Sequence, residues 1–174
     1  LLLKYPCHPA GNPFVYRHQG YSYTFRWTKH IYSLGLMNRV LGDKLPEDFI
    51  ALDIGSSYGI FSSLIKQEYP KSHHILVDFP EQLILAYYFL GTCFPEIKIA
   101  GVRELLDQKE LSRDFFLKYD FVLAPWPLYE RLGGIGLDLV TNFASLGEMS
   151  RDYFDYYLDS PTFKEAQYFF TANR

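Results

Sequence analysis

The stretch Phe49-Ile-Ala-Leu-Asp53-Ile-Gly55-Ser-Ser-Tyr-Gly59 decides the fold of this chain. It begins as a short apolar run, typical of a buried parallel strand, and ends in a turn with two glycines. The apolar residues of 60–65 recur at helical spacing, so the turn leads into an amphipathic helix. Asp53 then lies at the carboxyl end of its strand, the edge at which open α/β sheets bind ligands. The backbone N–H groups at the start of the helix have no partners within the helix, so this edge can bind anions and nucleotides.

A second carboxylate follows at a distance in the chain that supports a nucleotide-binding site. The run His74-Ile-Leu-Val-Asp78-Phe-Pro80 is another apolar strand ending in an acid, 23 residues after Gly55. An acid about 20 positions beyond a glycine turn lies at the tip of the next strand and accepts hydrogen bonds from ribose hydroxyls. Each acid also has a local interpretation, Asp53 as a turn residue and Asp78 as an N-cap ahead of Pro80.

Bulk composition excludes several classes of protein. The 174 residues are 48% hydrophobic, enough for one domain with a real core. A net charge of −3 and a pI near 5.9 argue against nucleic acid as a partner. Two cysteines make no disulfide framework and fit a reducing compartment, so a cytoplasmic location is predicted. No apolar run approaches the roughly 20 residues of a membrane span. The chain begins with Leu1, and we interpret it as a fragment of a longer protein.

Alternating strands and helices predict an α/β fold, a doubly wound and mostly parallel Rossmann-like sheet with helices on both faces. The strands are predicted at the run from Phe49, 74–78, 97–101, 121–125, 137–143 and 166–171. Helices are predicted at 24–42, after Gly59, and at 80–90, 102–117 and 150–159. Because 80–90 is apolar nearly all round, we expect it to be buried between the sheet and another layer. Residues 1–20 are rich in proline and glycine, and regular structure is not expected there.

The glycine pattern narrows the choice of nucleotide. The turn reads D-x-G-x-x-x-G, with Ser57 where a dinucleotide-binding G-x-G-x-x-G would have its middle glycine, and a P-loop lysine is absent. This turn, with Asp53 inside it and Asp78 downstream, resembles motif I of the class I S-adenosylmethionine (SAM) methyltransferases. The resemblance implies that the turn wraps the methionine part of SAM, that Asp78 holds the ribose, and that apolar residues flank the adenine. The cofactor-binding residues so implied are Asp53, Gly55, Ser56, Ser57, Tyr58, Gly59, Asp78, Phe79, Pro125 and Trp126. Trp126 also fits a core position.

A narrower resemblance extends over nearly the whole chain. The order and spacing of six segments are similar to those of a bacterial sugar O-methyltransferase family: 11–14, 53–59, 77–81, 124–126, 141–149 and 170–174. This similarity implies SAM-dependent methyl transfer to a hydroxyl of a sugar or glycan precursor. It divides the chain into an N-terminal arm and helix, 1–45, and a SAM-binding domain, 46–174. The arm is interpreted either as a cover for apolar surface or as part of a lid. Because a complete class I sheet ends in an antiparallel strand pair, we expect this sheet to lack those strands.

A sugar hydroxyl is a weak nucleophile, so the reaction calls for a base near the carboxyl ends of the strands. Glu148 follows the 137–143 strand, although Ser145-x-x-Glu148 also reads as a capping box. Asn142 is a candidate contact to the cofactor amine or the acceptor. His30 is the alternative base if its helix closes over the turn, and otherwise belongs, with Arg26 and Lys29, to a solvated helix face. Asp120 and Asp138 open their strands and are excluded.

Two rival functions stay open at this stage. A nicotinamide-dependent oxidoreductase uses a similar sheet, but the absent middle glycine argues against it. A non-catalytic module that binds SAM or another nucleotide is the second. Metal binding has no support, since the acids, histidines and cysteines lack ligand spacing.

Overall fold

The buried strand Ile50–Ile54 lies near the middle of a parallel sheet in the computed structural model, which describes residues 3–173. The strands in chain order are β1 Tyr16–His18, β2 Tyr21–Tyr23, β3 Ile50–Ile54, β4 His73–Asp78, β5 Ile99–Ala100, β6 Phe121–Pro125, β7 Leu139–Phe143 and β8 Tyr168–Ala172. The helices are α1 Phe25–Leu41, α2 Ile60–Glu68, α3 Pro80–Cys93, α4 Val102–Leu106, α5 Arg113–Phe116, α6 Arg151–Asp159 and α7 Pro161–Lys164, with 3₁₀ segments at Trp126–Leu132 and Leu146–Glu148. Leu1, Leu2 and Arg174, which belong to the predicted units 1–45 and 46–174, lie outside the described residues.

Strand order confirms the doubly wound sheet. The six strands run β5-β6-β4-β3-β7-β8, and every pair in this sheet is parallel. The chain moves outward from β3 to β4 and later returns to the other side of β3 as β7. A reversal of this kind opens a crevice at the carboxyl edge, which is where such sheets bind ligands.

Each face of the sheet carries its own apolar core, because successive strand side chains point to opposite faces. On β4, Leu76 packs with α1, α2 and α3, whereas Ile75 and Val77 pack with α4, α5 and α6. The predicted helix 24–42 is confirmed as α1, whose N-cap Thr24 accepts a hydrogen bond from the Trp27 amide. Helices on both faces bury the strands on both sides, which explains why these strands are continuously apolar.

The prediction that the helix at 80–90 is buried all round is wrong. Only one side of α3 is covered, and its outer side exposes large apolar residues, 53–70% of each in the case of Ile84, Leu85, Tyr87 and Tyr88. Composition shows that a helix is apolar, but the number of layers that cover it depends on distant parts of the chain. Among the described residues, no helix combines the length and the apolar character needed to cross a bilayer.

The predicted helix 102–117 is also wrong as one element, since it divides into α4 and α5. The guanidinium of Arg131 donates to the carbonyls of Leu105 and Gln108, so a tertiary contact satisfies the end of α4. Carbonyls that find partners outside the helix no longer favour another turn. The side-chain periodicity within 102–117 could not predict this contact, because Arg131 lies outside the segment.

The N-terminal arm is more regular than its proline and glycine content predicted. β1 and β2 form an antiparallel hairpin through Gln19 and Gly20, which both have positive φ (48° and 80°). Two positive φ values match the two-residue turns whose twist suits a hairpin. The arm packs on the body through Tyr5, whose carbonyl accepts a hydrogen bond from Trp27 Nε1 (2.8 Å).

Candidate active site

A cleft of about 550 Å³ lies at the carboxyl edge of β3, β4 and β7. Its walls come from the start of α1, the turn after β3, the tip of β4 and the loop after β7. An adjoining lobe of about 340 Å³ shares Gly55, Asp78, Phe79, Ser145 and Glu148 with it. Because they share these residues, the two spaces form one continuous site, located where the strand order reverses at β3.

Asp53 and Asp78 both line this cleft, as their positions at neighbouring strand tips predicted. Asp53 is 3% exposed and accepts hydrogen bonds from Ser62 Oγ (3.0 Å) and Thr141 Oγ1 (2.9 Å). Burial raises the pKa of Asp53 to about 7, opposed by those two hydroxyls and reinforced by the charge of Asp78. Near neutral pH this carboxyl is therefore ready to ionise beside a cationic or hydroxyl-bearing ligand.

Asp78 orders the turn as well as lining the cleft. Its carboxylate accepts hydrogen bonds from the backbone amides of Ser57 (2.6 Å) and Phe79 (2.7 Å). The interpretation of Asp78 as the N-cap of α3 is wrong, because Phe79 is the N-cap and no side chain caps this helix. Two carboxylate oxygens offer about four acceptor sites, more than the two amides use. The remaining acceptor capacity is available to a ligand in the cleft.

Gly55 allows the loop after β7 to approach the turn closely. Its φ is +67°, and a Cβ built there would lie 2.0 Å from Ser145 Oγ. Ser145 Oγ in turn donates to the Ile54 carbonyl (3.0 Å). A side chain at position 55 would push the loop away and displace that wall of the cleft.

Asn142, predicted as a catalytic and cofactor-binding residue, does not line the cleft or the lobe. It is 1% exposed, and its Nδ2 donates to the Ile54 carbonyl (2.7 Å) and to Ser145 Oγ. Its Oδ1 accepts from Asn173 Nδ2 (2.8 Å) and from the Leu146 amide (3.3 Å). Because its hydrogen-bonding groups are occupied within the protein, Asn142 braces the loop rather than offering a group to a ligand.

The turn residues separate into two groups. Ser56 and Ser57 line the cleft, and the buried Ser56 Oγ has no hydrogen-bond partner among the described residues. Tyr58 instead packs edge-to-face on Phe89 (centroids 5.1 Å apart) and lines a separate cavity of about 230 Å³ under the arm. Gly59 lies against the core, where a Cβ would come within 2.9 Å of Leu76 Cδ2. The structure thus brings Ser56 and Ser57 to the site, but not the Tyr58 side chain or Gly59.

His30 lies in the wall formed by α1, only 7% exposed, and its ring stacks on Phe143 with centroids 3.9 Å apart. The Nδ1 atom lies 2.7 Å from the Arg26 carbonyl, which only accepts, so Nδ1 carries the hydrogen and Nε2 keeps a free lone pair. The pKa of His30 is lowered to about 4, mainly by burial and also by the charges of Arg26 and Lys29, while the hydrogen bond to the Arg26 carbonyl opposes the shift. A neutral imidazole with a free acceptor nitrogen therefore faces the cleft at neutral pH.

We expect acid to destabilise the native state through His30. Its pKa is about 4 when folded against 6.5 when exposed, so unfolding takes up a proton below pH 6.5. The stability is therefore complete above pH 6.5 and is lost as the pH falls towards 4, by about 3 kcal/mol. Urea unfolding at pH 7 and pH 4 should show this extra loss in the wild type but not in His30→Asn. The buried His74, whose pKa burial also lowers, stays in both proteins and cancels. An equal acid loss in both proteins would contradict the assignment.

Glu148 lines both the cleft and the adjoining lobe. The capping box proposed as its alternative role is absent, because Ser145 Oγ donates to the Ile54 carbonyl and the Glu148 amide instead reaches the Ser145 carbonyl (3.0 Å). No hydrogen bond or ion pair within residues 3–173 holds the Glu148 carboxylate. It is therefore available to a ligand.

Apolar groups flank the tip of β4. Phe79 is 63% exposed and lines both spaces, and Trp126 walls the lobe with its ring edge-on to Tyr153 (6.2 Å). Pro125 lines neither space and pairs with Asp78 in the sheet. Sequence reasoning missed Tyr153, because α6 is distant in the chain and nothing in its pattern indicates where it docks.

The structure resolves the open question about α1. Arg26, Lys29 and His30, interpreted from sequence either as a solvated face or as facing the turn, all line the cleft together with Phe25. Phe143, at the end of β7, was not predicted as a site residue although its place at a strand tip was a usable signal. Among residues 3–173, no group of three His, Cys, Asp or Glu side chains is placed to hold a metal ion.

Comparisons with known proteins give structural likenesses only. No protein-family model matches the sequence, and no curated protein matches it. PKMT2 from Rickettsia typhi in complex with AdoHcy is 18% identical, with a TM-score of 0.44 over 73% of this chain and 21% of its own. A protein from Nostoc punctiforme described as a putative O-methyltransferase is 16% identical, with a TM-score of 0.47 over 84% of this chain and 38% of its own. Coclaurine N-methyltransferase, bound to N-methylheliamine and SAH, is 12% identical, with a TM-score of 0.47 over 78% of this chain and 32% of its own. The chain thus spans between 21% and 38% of the length of these proteins.

Proposed function

We propose that this protein is a SAM-dependent O-methyltransferase that acts on a hydroxyl of a sugar or glycan precursor. The observation that carries the proposal is the placement of Asp53 and Asp78, at adjacent strand tips, in one cleft beside the Gly55 turn. Two carboxylates beside a glycine turn at a switch point suit an adenosine with a cationic tail. The sugar acceptor rests on the family resemblance of the sequence.

The residues present fit SAM. Asp78 would hold the ribose hydroxyls, while Ser56 Oγ, buried with no hydrogen-bond partner within residues 3–173, would meet the methionine part. Asp53, whose pKa is raised to about 7 by burial, would ionise beside the amino group. The lobe walled by Trp126 and Tyr153 would take the adenine ring. An aromatic lobe next to paired carboxylates divides the site into the apolar and polar parts that such a ligand requires.

When bound, SAM supplies a methyl group already activated on a sulfonium, so the protein contributes mainly alignment and removal of a proton. His30 Nε2 is the base in this proposal, because Nδ1 donates to the Arg26 carbonyl and the ring is neutral at pH 7. The acceptor oxygen would bond to the methyl carbon while the sulfur–methyl bond breaks and its electron pair stays on the sulfur of SAH, and the hydroxyl proton would pass to His30 Nε2. Glu148, whose carboxylate also faces the cleft, is the alternative base.

The segment 1–45 is proposed to be the acceptor side of the site. Its helix α1 contributes Phe25, Arg26, Lys29 and His30 to the cleft, whereas the cofactor residues come from the sheet loops. Two free cysteines, Cys7 and Cys93, fit a reducing compartment, and we place the reaction in the cytoplasm on that basis.

Calorimetry with SAM and with S-adenosylhomocysteine (SAH) tests the proposal directly. Saturable binding of both is expected, followed by transfer of a labelled methyl group to a sugar. Absence of SAH binding by the folded protein would overturn the assignment, and NADH binding in its place would favour the oxidoreductase. Cofactor binding with no transfer to any sugar or glycan would favour the non-catalytic module.

Asp78→Asn is expected to weaken SAH binding by about 1–3 kcal/mol, roughly 5- to 150-fold in Kd. The amide keeps the size of the side chain, but it loses the charge-assisted bonds to ribose and one of the two oxygens that accept from the Ser57 and Phe79 amides. Asp107→Asn, at an exposed position outside the cleft, is the matched control and should leave the Kd unchanged. Equal affinities for Asp78→Asn and Asp107→Asn would show that Asp78 does not contact the ligand.

A further inference from the structure

Two cations line the cleft without a carboxylate partner. Arg26 and Lys29 lie three residues apart on α1, and neither forms an ion pair among the described residues. The Arg26 guanidinium lies 5.9 Å from the centre of the Tyr58 ring, and Lys29 Nζ lies 4.5 Å from the centre of the Phe25 ring. Arg26 also forms a side-chain hydrogen bond with Tyr58. Because a guanidinium has five N–H donors and an ammonium three, both side chains keep donors available to a ligand.

The negative and positive charges that line the cleft come from different secondary-structure elements. The carboxylates of Asp53, Asp78 and Glu148 come from the strand tips and from the loop after β7, whereas α1 contributes only positive charge. The charges of Arg26 and Lys29 help to lower the pKa of His30, so their field reaches the proposed base. A ligand that fills the cleft therefore meets acceptors at the sheet and donors at α1.

We infer that the acceptor is an anionic sugar, whose carboxylate or phosphate is bound by Arg26 and Lys29. The identity of the acceptor rests on the proposed function, but the anion site does not. The planar guanidinium of Arg26 can hold either anion through two parallel hydrogen bonds, and Lys29 adds a point charge. Anchoring the anion on α1 holds the sugar within one helical turn of His30, with the exposed Phe25 ring available to the sugar face.

The cofactor offers one competing explanation, because SAM and SAH carry a carboxylate of their own. The two explanations differ in which ligand the cations affect. If Arg26 and Lys29 serve the acceptor, their loss weakens binding of anionic sugars and spares SAH. If they serve the cofactor, SAH binding falls by a comparable factor.

The test is an NMR titration of the ¹⁵N-labelled full chain, with and without SAH, in which the backbone amides of residues 25–30 are followed. The probes are glucuronate, glucose 1-phosphate and uncharged glucose, so that carboxylate and phosphate are separate arms. The test variant is Arg26→Gln/Lys29→Gln. The matched control is Arg39→Gln/Lys44→Gln, which removes the same charge from the exposed end of α1 and the loop after it, outside the cleft.

In the wild type at least one anionic sugar should bind about tenfold or more tightly than glucose, with an advantage that shrinks as salt is added. The test variant should lose that advantage, while its SAH affinity changes by less than about threefold and the control matches the wild type. The inference is overturned if glucose binds as well as the charged sugars, if neither charged sugar gives a saturable shift, if the control loses as much as the test variant, or if SAH affinity falls in parallel. Because the titration also runs without SAH, a protein that fails to bind SAH refutes the proposed function alone.

Discussion

His30→Asn is expected to lower kcat by about 10²–10⁴-fold with little change in SAH affinity. The Asn amide nitrogen can keep the hydrogen bond that Nδ1 makes to the Arg26 carbonyl, but it removes the acceptor nitrogen that faces the cleft. The wall of the site is thereby retained while the proposed base is lost. The assay is methyl transfer to a sugar acceptor at saturating SAM, with SAH calorimetry in parallel.

Glu148→Gln distinguishes between the two candidate bases, and we expect it to lower kcat by a smaller factor than His30→Asn does. Both side chains line the cleft, but only His30 is buried and held by a hydrogen bond and by stacking on Phe143. A base locked in one orientation reaches the transition state without further ordering. Should Glu148→Gln reduce kcat by the larger factor, the base would be Glu148 and the role of His30 would be confined to packing.

Gly55→Ala is expected to cost about 2–5 kcal/mol of unfolding free energy and to abolish SAH binding. Two effects add at this position: a left-handed backbone, about 1–2 kcal/mol, and a steric overlap, about 1–3 kcal/mol. The overlap is with Ser145, whose Oγ would lie 2.0 Å and Cβ 2.4 Å from the new methyl group. Relief requires the loop after β7 to move, and that loop forms one wall of the cleft. Urea unfolding and SAH calorimetry measure the two losses.

Gly134→Ala measures separately how much of the stability loss comes from placing alanine in a left-handed backbone conformation. Gly134 has a φ of +77°, close to that of Gly55, but a Cβ there meets no atom within 4 Å. We expect a loss of about 1–2 kcal/mol and unchanged SAH binding. Equal losses in the two alanine variants would mean that the approach of Ser145 is not what requires glycine at position 55.

The part of the site nearest the sheet could be predicted from sequence because it depends on local patterns. An apolar run ending in an acid fixes a strand and its tip, and parallel neighbours bring their tips to one edge. Asp53 and Asp78 follow from that rule alone, and so does Gly55 at the turn between β3 and α2. The strand-and-helix alternation likewise predicted the doubly wound sheet.

Four residues predicted for the site, Asn142, Tyr58, Gly59 and Pro125, do not line the cleft or the lobe. All four are near a strand tip, but the hydrogen bonds or packing of each lie elsewhere. Motif position gives the backbone path at a tip, whereas the direction in which a side chain is used depends on neighbours supplied by other elements. Asn142 shows this most clearly, since its partners include Asn173, 31 residues away.

By itself, the sequence determined the six strands of the main sheet and their alternation with helices, the glycine turn and the two acids at the ligand edge of the sheet. Only the tertiary structure decided that α1 closes one wall of the cleft with Arg26, Lys29 and His30, and that α6 walls the lobe with Tyr153. Secondary structure follows from hydrogen bonds and side-chain periodicity within a few residues. The docking of a helix follows from apolar surfaces that meet across long stretches of chain, and no local pattern records which surface it meets.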